Sequence, residues 1–210
     1  LSALEEGSEL IPQRTLDEIS RCGVALKGPC TTPVGEGFTS INVKLRKTFN
    51  LYAAVRPVRS MPGVQTRYQD VDLIIIRENT EGLYHALLRR SADRAQGRPE
   101  YEPGPMTFPG LDGEVAYDPR PISKSGSERL IRMGFEIAET RNGAPADGVR
   151  RVSCIDKSNV TRGCQLFRST FDEVAADYPG TEADYGYIDA FMQWITRSPE
   201  HYDTVVTSNM

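Results

Sequence analysis

The chain lacks both a long apolar run and an excess of charge of one sign. No stretch approaches the roughly 18 apolar residues that a membrane-spanning helix needs. Lysine and arginine number 25 against 29 aspartates and glutamates, a net charge of −4 with both signs interspersed. Because nucleic acids and anionic membranes attract strongly basic surfaces, we expect neither as a partner. The first residues, LSALEEGSEL, show no targeting signal, and we expect a bacterial cytoplasmic or mitochondrial matrix protein.

Cysteine and histidine are also scarce. The four cysteines, Cys22, Cys30, Cys154 and Cys164, show no C-x-x-C spacing, and the chain has only two histidines. Zinc sites and disulfide frameworks depend on such spacings. We therefore expect reduced thiols in a cytosol-like or matrix-like compartment.

The remaining composition is that of a globular α/β protein. Hydrophobic residues make up 39% and charged residues 26% of the 210 positions, which is ordinary for a folded domain. Apolar runs predict strands over residues 24–29, 51–58, 71–76, 149–156 and 202–207, and helical spacing predicts helices over 15–21, 123–141, 163–178 and 187–196. This alternation favours an α/β sheet. Residues 87–122, rich in proline, glycine and arginine, predict a long excursion.

One helix start has the features of an anion site. A loop rich in glycine and proline, residues 28–37, leads to Ser40, whose hydroxyl suits a helix N-cap. The unpaired N–H groups of a helix start attract anions. Asn42 and Arg46 are four residues apart and share a helix face. Arg56 and Arg77 each end an apolar run, so we expect both at strand ends, where open α/β sheets bind ligands.

Together these side chains suit a small molecule that carries several carboxylates. A guanidinium pairs with a carboxylate through two parallel hydrogen bonds, and a hydroxyl and an amide add selectivity. Three other residues suit proton transfer and metal binding: Tyr84 and Lys157 can exchange protons, and Asp189 can bind a hard cation. Each residue taken alone is equally compatible with a surface or packing role.

Several blocks resemble the decarboxylating β-hydroxyacid dehydrogenases, the family of isocitrate and isopropylmalate dehydrogenases. In family order they are GPCTTPVGEGFTSINVKLRKTFNLYAAVRPV, RYQDVDLIIIRENTEGLY, VSCIDKSNV, YIDAFMQWI and HYDTVVTSNM. The resemblance implies a three-layer α/β sandwich with a mixed central sheet, here incomplete at both termini. It implies that residues 1–51 belong to a large cofactor domain, that 52–81 and 123–210 form a small domain with the substrate site and dimer interface, and that 82–122 form a clasp-like insertion.

The resemblance also assigns roles to these residues. Tyr84 would donate a proton to the enolate, Lys157 would act on the substrate hydroxyl, and Asp189 would help to hold Mg²⁺ or Mn²⁺. Arg56 and Arg77 would bind substrate carboxylates. Because the family's lysine and aspartate act across a dimer interface, the resemblance implies a homodimer or higher oligomer with shared active sites.

The substrate prediction rests on the pattern Ser40-x-Asn42-x-x-x-Arg46. Isocitrate enzymes of the family carry this pattern, which isopropylmalate and homoisocitrate enzymes usually lack. The resemblance therefore favours oxidative decarboxylation of isocitrate, with homoisocitrate or another 3-substituted malate as the alternative. Lys27 matches a substrate position, and Thr32 and Asn42 match positions near the nicotinamide of NAD, with NADP as the alternative cofactor.

Two classes without catalysis stay open. The chain could be a regulatory component of a hetero-oligomeric dehydrogenase, or a truncated paralogue that binds tricarboxylates without reaction. Retention of Tyr84, Lys157 and Asp189 favours the enzyme.

Overall fold

The computed structural model describes residues 11–30, 40–83, 85, 110, 111, 113, 115 and 117–209. Contacts divide the chain into two compact units, Leu1–Leu51 and Tyr52–Met210. None of the helices formed by the described residues has the length and apolar character that a bilayer span requires. All four cysteines are free, as their spacing predicts.

The first unit contains two helices, α1 (Gln13–Cys22) and α2 (Ile41–Thr48). Helix α1 ends at Gly23, whose φ of 70° is the left-handed conformation typical of a helix C-terminus. The prediction of a buried strand over residues 24–29 is wrong. This segment has no regular secondary structure, and Val24 is 77% exposed. A strand needs a neighbour for its backbone N–H and C=O groups, and no described segment pairs with these residues.

The second unit is built on a five-stranded sheet. Its strands are β1 (Ala53–Arg59), β2 (Asp72–Glu78), β3 (Arg151–Asp156), β4 (Glu182–Tyr187) and β5 (Thr204–Thr207), in the order β1-β2-β5-β3-β4. Strand β1 is antiparallel to β2, whereas β2, β5, β3 and β4 are mutually parallel. The sheet is therefore mixed, as predicted. Pro57 lies in the edge strand β1, the position where a missing N–H is tolerated.

Helices cover both faces of this sheet. On one face, α3 (Lys124–Glu139) and α4 (Arg162–Ala175) bury three phenylalanines completely, Phe135, Phe167 and Phe171. On the other face, α5 (Ile188–Trp194) packs Phe191 against Ile155 and Val205. This arrangement is the predicted three-layer α/β fold.

A glycine lets helix α3 approach the sheet closely. A Cβ atom at Gly134 would lie 2.4 Å from Cγ1 of Val206 in β5, so any larger residue would push helix and sheet apart. Strand β4 is not predicted by the sequence pattern, which places a helix from residue 187 onward; the helix begins at Ile188. Short edge strands with charged residues carry a weak sequence signal.

The amino-terminal ends of the parallel strands carry a network of ion pairs around Arg141 and Arg151. Arg141, which follows α3, donates from Nε to Asp203 and from Nη2 to the carboxylate of Asp72 at 2.9 Å. Burial opposes the charged form of Arg141, but the hydrogen bonds to Asp203 and Asp72 outweigh it and raise its pKa. Asp203 is completely buried, so its negative charge needs Arg141 as a partner.

Arg151 forms a second group of ion pairs at the same edge. Its Nε donates to Glu182 at 2.6 Å, its Nη2 to Asp147 at 2.8 Å, and its Nη1 to the backbone carbonyl of His201 at 2.6 Å. Every guanidinium nitrogen of Arg151 therefore has an acceptor. Such complete pairing is typical of a structural arginine, because an unpaired buried charge is costly.

Candidate active site

The predicted helix start in the first unit borders a cavity. Ser40 is the N-cap residue of α2, as predicted, but its hydroxyl makes no capping hydrogen bond. The cavity measures about 570 Å³, and its polar lining includes the side chains of Lys27, Asn42 and Arg46. Apolar residues of α1 and α2 line the rest, among them Ile19, Leu45 and Phe49. The structure thus brings three of the predicted substrate-binding residues together around one opening.

Two predicted site residues, Thr32 and Tyr84, lie outside the described residues, as does most of the predicted clasp. Arg46 belongs to the first unit and Arg56 and Arg77 to the second. The convergence of these three arginines on one substrate therefore stays a prediction.

Arg56 and Arg77 are neighbours on one face of the sheet. In the antiparallel β1–β2 ladder, Arg56 pairs with Ile75, and Arg77 lies two residues further along β2. Diagonal neighbours of this kind are about 7–8 Å apart on the same face, within reach of long side chains. The expectation that Arg56 ends its strand is wrong. Pairing with β2 continues to Arg59, which leaves Arg56 exposed in the middle of β1.

Arg77 lies at the carboxyl end of β2, as predicted, and its guanidinium is incompletely paired. Its Nη2 donates to Oδ1 of Asn79 at 3.4 Å. Its Nε is buried and has no hydrogen-bond acceptor among the described residues. A buried donor without an acceptor costs free energy. This separates Arg77 from Arg151 at the opposite edge, whose guanidinium nitrogens all have acceptors.

Lys157 and Asp189 form an ion pair at the carboxyl edge of the sheet. Lys157 directly follows β3, and Asp189 lies in the first turn of α5 directly after β4. Because β3 and β4 are parallel neighbours, their ends bring the two residues together. Nζ of Lys157 donates to Oδ1 of Asp189 at 2.7 Å, and the side chains are 31% and 66% exposed. This hydrogen bond lowers the pKa of Asp189 below its ordinary value.

Asp156 shapes the turn that presents Lys157, a role that the sequence pattern did not predict. Its fully buried carboxylate accepts hydrogen bonds from the backbone N–H of Ser158 at 2.8 Å and from Nε of Arg168 at 2.9 Å. A carboxylate at the end of a buried strand, immediately before a lysine, is a signal that could have indicated this role.

The donor set around Asp189 fits a hard cation in part. The described residues contain no group of three His, Cys, Asp or Glu side chains that could hold a metal ion. Asp189 offers an exposed carboxylate. Mg²⁺ commonly takes one or two protein carboxylates and completes its octahedron with water and substrate oxygens, so Asp189 is suited to be one ligand among several.

Comparison with known proteins gives consistent results. The family profile described as isocitrate/isopropylmalate dehydrogenase matches residues 1–210. An isocitrate dehydrogenase (NADP) of Thermus thermophilus is 36% identical over 203 residues, which are 95% of this chain and 36% of that protein. A mitochondrial regulatory subunit of an isocitrate dehydrogenase (NAD) from Dictyostelium discoideum is 34% identical over 201 residues, which are 95% of this chain and 49% of that protein.

A solved structure has the same fold. The crystal structure of isocitrate dehydrogenase from Methylococcus capsulatus matches with a TM-score of 0.76 and 36% sequence identity, covering 100% of this chain and 56% of that chain. The chain therefore spans about half the length of that enzyme, and a third to a half of the two curated relatives.

Proposed function

Since the chain belongs to the isocitrate/isopropylmalate dehydrogenase family, we propose that it forms part of an enzyme that oxidises isocitrate and decarboxylates it to 2-oxoglutarate. NAD or NADP would accept the hydride, and Mg²⁺ or Mn²⁺ held partly by Asp189 would supply a Lewis acid. The observation that carries the proposal is the 2.7 Å contact between Lys157 and Asp189, which joins the amine that we propose for proton transfer to the carboxylate that we propose as a metal ligand.

Charge complementarity supports a substrate with several carboxylates. Arg77 offers a buried Nε without an acceptor among the described residues, and Arg56 is its diagonal neighbour in the ladder. Arg46 and Lys27 line the cavity of the first unit together with Asn42. We propose that these side chains bind the carboxylates of isocitrate, since guanidinium pairs with carboxylate in a fixed fork.

Selectivity for isocitrate over isopropylmalate would rest on Ser40 and Asn42. The Ser40 hydroxyl makes no capping hydrogen bond, so it can donate to a ligand. A site built to hydrogen-bond a polar group discriminates strongly against an analogue that carries an alkyl group there. In the reaction we assign Lys157 to proton transfer at the substrate hydroxyl and Tyr84 to protonation of the enolate that remains after CO₂ departs.

The partner that we propose is a second copy of the chain. Helix α5 leaves three large apolar side chains exposed, Ile188 at 39%, Met192 at 58% and Trp194 at 51%. Ile188 and Met192 are four residues apart and share a face of the helix, and an apolar face exposed in this way marks an interaction surface. Asp189 lies on the same helix. A copy packed against α5 would therefore come close to the Lys157–Asp189 pair, as shared active sites require.

Mixed dimers of the full-length gene product test this proposal. Tyr84→Phe and Lys157→Met each remove one proton-transfer group, so each homodimer should have a strongly reduced kcat with isocitrate. After exchange of protomers, hybrid dimers should regain part of the activity, because one of their two sites keeps both groups. The control is exchange between two Lys157→Met populations, which should restore nothing. Confirmed hybrids without recovered activity would refute the shared site.

The likeness to a regulatory subunit favours one alternative, a chain that binds isocitrate without turnover. Calorimetry with isocitrate and Mg²⁺, alongside an assay of NADH and NADPH production, separates the two. Binding without reduction of either cofactor supports the regulatory role, and binding with reduction supports the enzyme.

A further inference from the structure

The loop that follows β2 is held by acidic side chains that no substrate role explains. The carboxylate of Glu78, which is 3% exposed, accepts hydrogen bonds from the backbone N–H of Thr80 at 2.8 Å and of Glu81 at 2.7 Å. It also accepts from the Thr80 hydroxyl, which in turn accepts from Arg129 of α3 at 3.1 Å. These hydrogen bonds hold the backbone of the loop in a tight turn directly after Arg77.

Glu81 connects this loop to the start of helix α3. Its Oε2 accepts from the backbone N–H of Ser123 at 2.9 Å, and its Oε1 accepts from the Ser123 hydroxyl. The same hydroxyl caps the helix by accepting from the N–H of Gly126 at 3.0 Å. A carboxylate at a helix N-terminus is also favoured by the helix dipole. Glu81 therefore contacts the N-cap residue of α3, where the helix dipole also favours a negative charge.

Gly126 is required for this contact. A Cβ atom at position 126 would lie 2.4 Å from Oε1 of Glu81, far inside van der Waals contact. Glycine within a helix is otherwise unfavourable relative to alanine. Gly126 therefore lowers the helix propensity of α3 but leaves room for the Glu81 carboxylate.

A third element reaches the same residue. Asn209, which is 2% exposed and follows β5, donates from Nδ2 to the backbone carbonyl of Glu81 at 2.7 Å. Glu81 is therefore bonded to β2 through Glu78, to α3 through Ser123 and to the end of β5 through Asn209. Within the same loop, Asn79 accepts the hydrogen bond from Arg77.

We propose that Glu81 is a positioning residue for substrate binding. By docking on the N-terminus of α3, its carboxylate fixes the loop that contains Asn79 and so holds the Arg77 guanidinium in the orientation that receives a substrate carboxylate. This inference rests on the proposed function, in which Arg77 binds isocitrate. It predicts that damage to the Glu81–Ser123 contact weakens substrate binding although neither residue touches the substrate.

The test uses four variants of the full-length gene product. Glu81→Gln keeps the size of the side chain but removes its charge and leaves one oxygen instead of two to accept hydrogen bonds at the start of α3. Gly126→Ala removes no polar atom and displaces the carboxylate sterically. Ser123→Thr keeps the hydroxyl and is the conservative variant. Glu136→Gln alters an exposed glutamate on the same helix and is the matched control.

Kinetics with isocitrate distinguish positioning from a purely structural role. Glu81→Gln and Gly126→Ala should raise KM about tenfold, the size expected for one charge-assisted hydrogen bond, with kcat within about twofold of the wild type. Ser123→Thr and Glu136→Gln should leave both constants unchanged. An alanine that acted only through helix propensity would stabilise the protein and leave KM unaltered, which would overturn the inference.

Hydrogen exchange tests the anchoring of the loop independently of the proposed function. Amide exchange in residues 79–82 should accelerate in Glu81→Gln and Gly126→Ala and not in Glu136→Gln. If the wild type neither binds nor oxidises isocitrate, the proposed function is refuted. The exchange rates of residues 79–82 then still show whether Glu81 anchors the loop. If Arg77→Ala raises KM and Glu81→Gln does not, the inference falls and the proposed function stands.

Discussion

The two edges of the parallel sheet use charge differently. At the amino-terminal edge, Arg141 and Arg151 are 15% and 5% exposed and each donate to two carboxylates, among which Asp203 is fully buried. At the carboxyl-terminal edge, Arg77 keeps a buried Nε without an acceptor among the described residues, and the Lys157–Asp189 pair is open to solvent. Completeness of pairing, more than the number of charges, separates an edge that stabilises the fold from an edge that can bind a ligand.

The largest effect, on stability, is expected at the amino-terminal edge of the sheet. Asp203→Ala would leave Arg141 partly buried without its main partner, so we expect the free energy of unfolding to fall by about 3–5 kcal/mol, as for other broken buried pairs. Urea denaturation measures it. The control is Asp177→Ala, which removes an exposed carboxylate paired with Arg132 and should change little. Equal losses in both variants would contradict the comparison.

Arg77→Ala should have the second largest effect, on binding instead of stability. Loss of a half-buried guanidinium that pairs with a substrate carboxylate should raise KM for isocitrate about 100-fold, equivalent to about 2.7 kcal/mol. Arg59→Ala, in the neighbouring strand but at the amino-terminal edge, is the control and should leave KM unchanged. An unaltered KM in Arg77→Ala would remove the main reason to place the substrate at the carboxyl edge.

The smallest effect concerns two exposed aspartates, one at each edge. Hydrogen bonds from Lys157 and from Arg151 lower the pKa of Asp189 and of Asp147, respectively. Each pair therefore contributes stability above the ordinary aspartate pKa and loses it as the pH falls through the lowered value. Carboxyl-carbon NMR should show a higher pKa for Asp189 in Lys157→Met and for Asp147 in Arg151→Met.

Adding isocitrate and Mg²⁺ to the NMR titration tests the difference between the two edges directly. Isocitrate with Mg²⁺ should shift the titration of Asp189 in the wild type and leave that of Asp147 unchanged, because only the carboxyl edge is proposed to bind them. A response of both aspartates, or of neither, would argue against a functional difference between the edges.

Local signals predicted much of the secondary structure. Ser40 precedes α2, the helices predicted over residues 15–21 and 123–141 form, and so does the strand predicted over residues 71–76. Each feature depends on residues within a turn or two of one another. The errors occurred where strand formation depends on a distant partner: residues 24–29 have no described neighbour, whereas β4 is ordered by its ladder with β3.

The candidate site was predictable as a set of residue types and less so as an arrangement. That Lys157 and Asp189 suit proton transfer and cation binding follows from their chemistry. Their contact follows from the parallel pairing of β3 and β4 across 32 positions. The mid-strand position of Arg56 follows from the length of the β1–β2 ladder, which the apolar run alone underestimated.

The sequence by itself determined approximately where the helices lie and which side chains can carry the chemistry, because these properties are local. Only the tertiary structure decided which charges are saturated. Arg141 meets Asp203 and Asp72 across 62 and 69 positions, and Glu81 meets Ser123 across 42. Such pairings depend on how strands and helices pack, so a pattern of residues predicts the charges but not their partners.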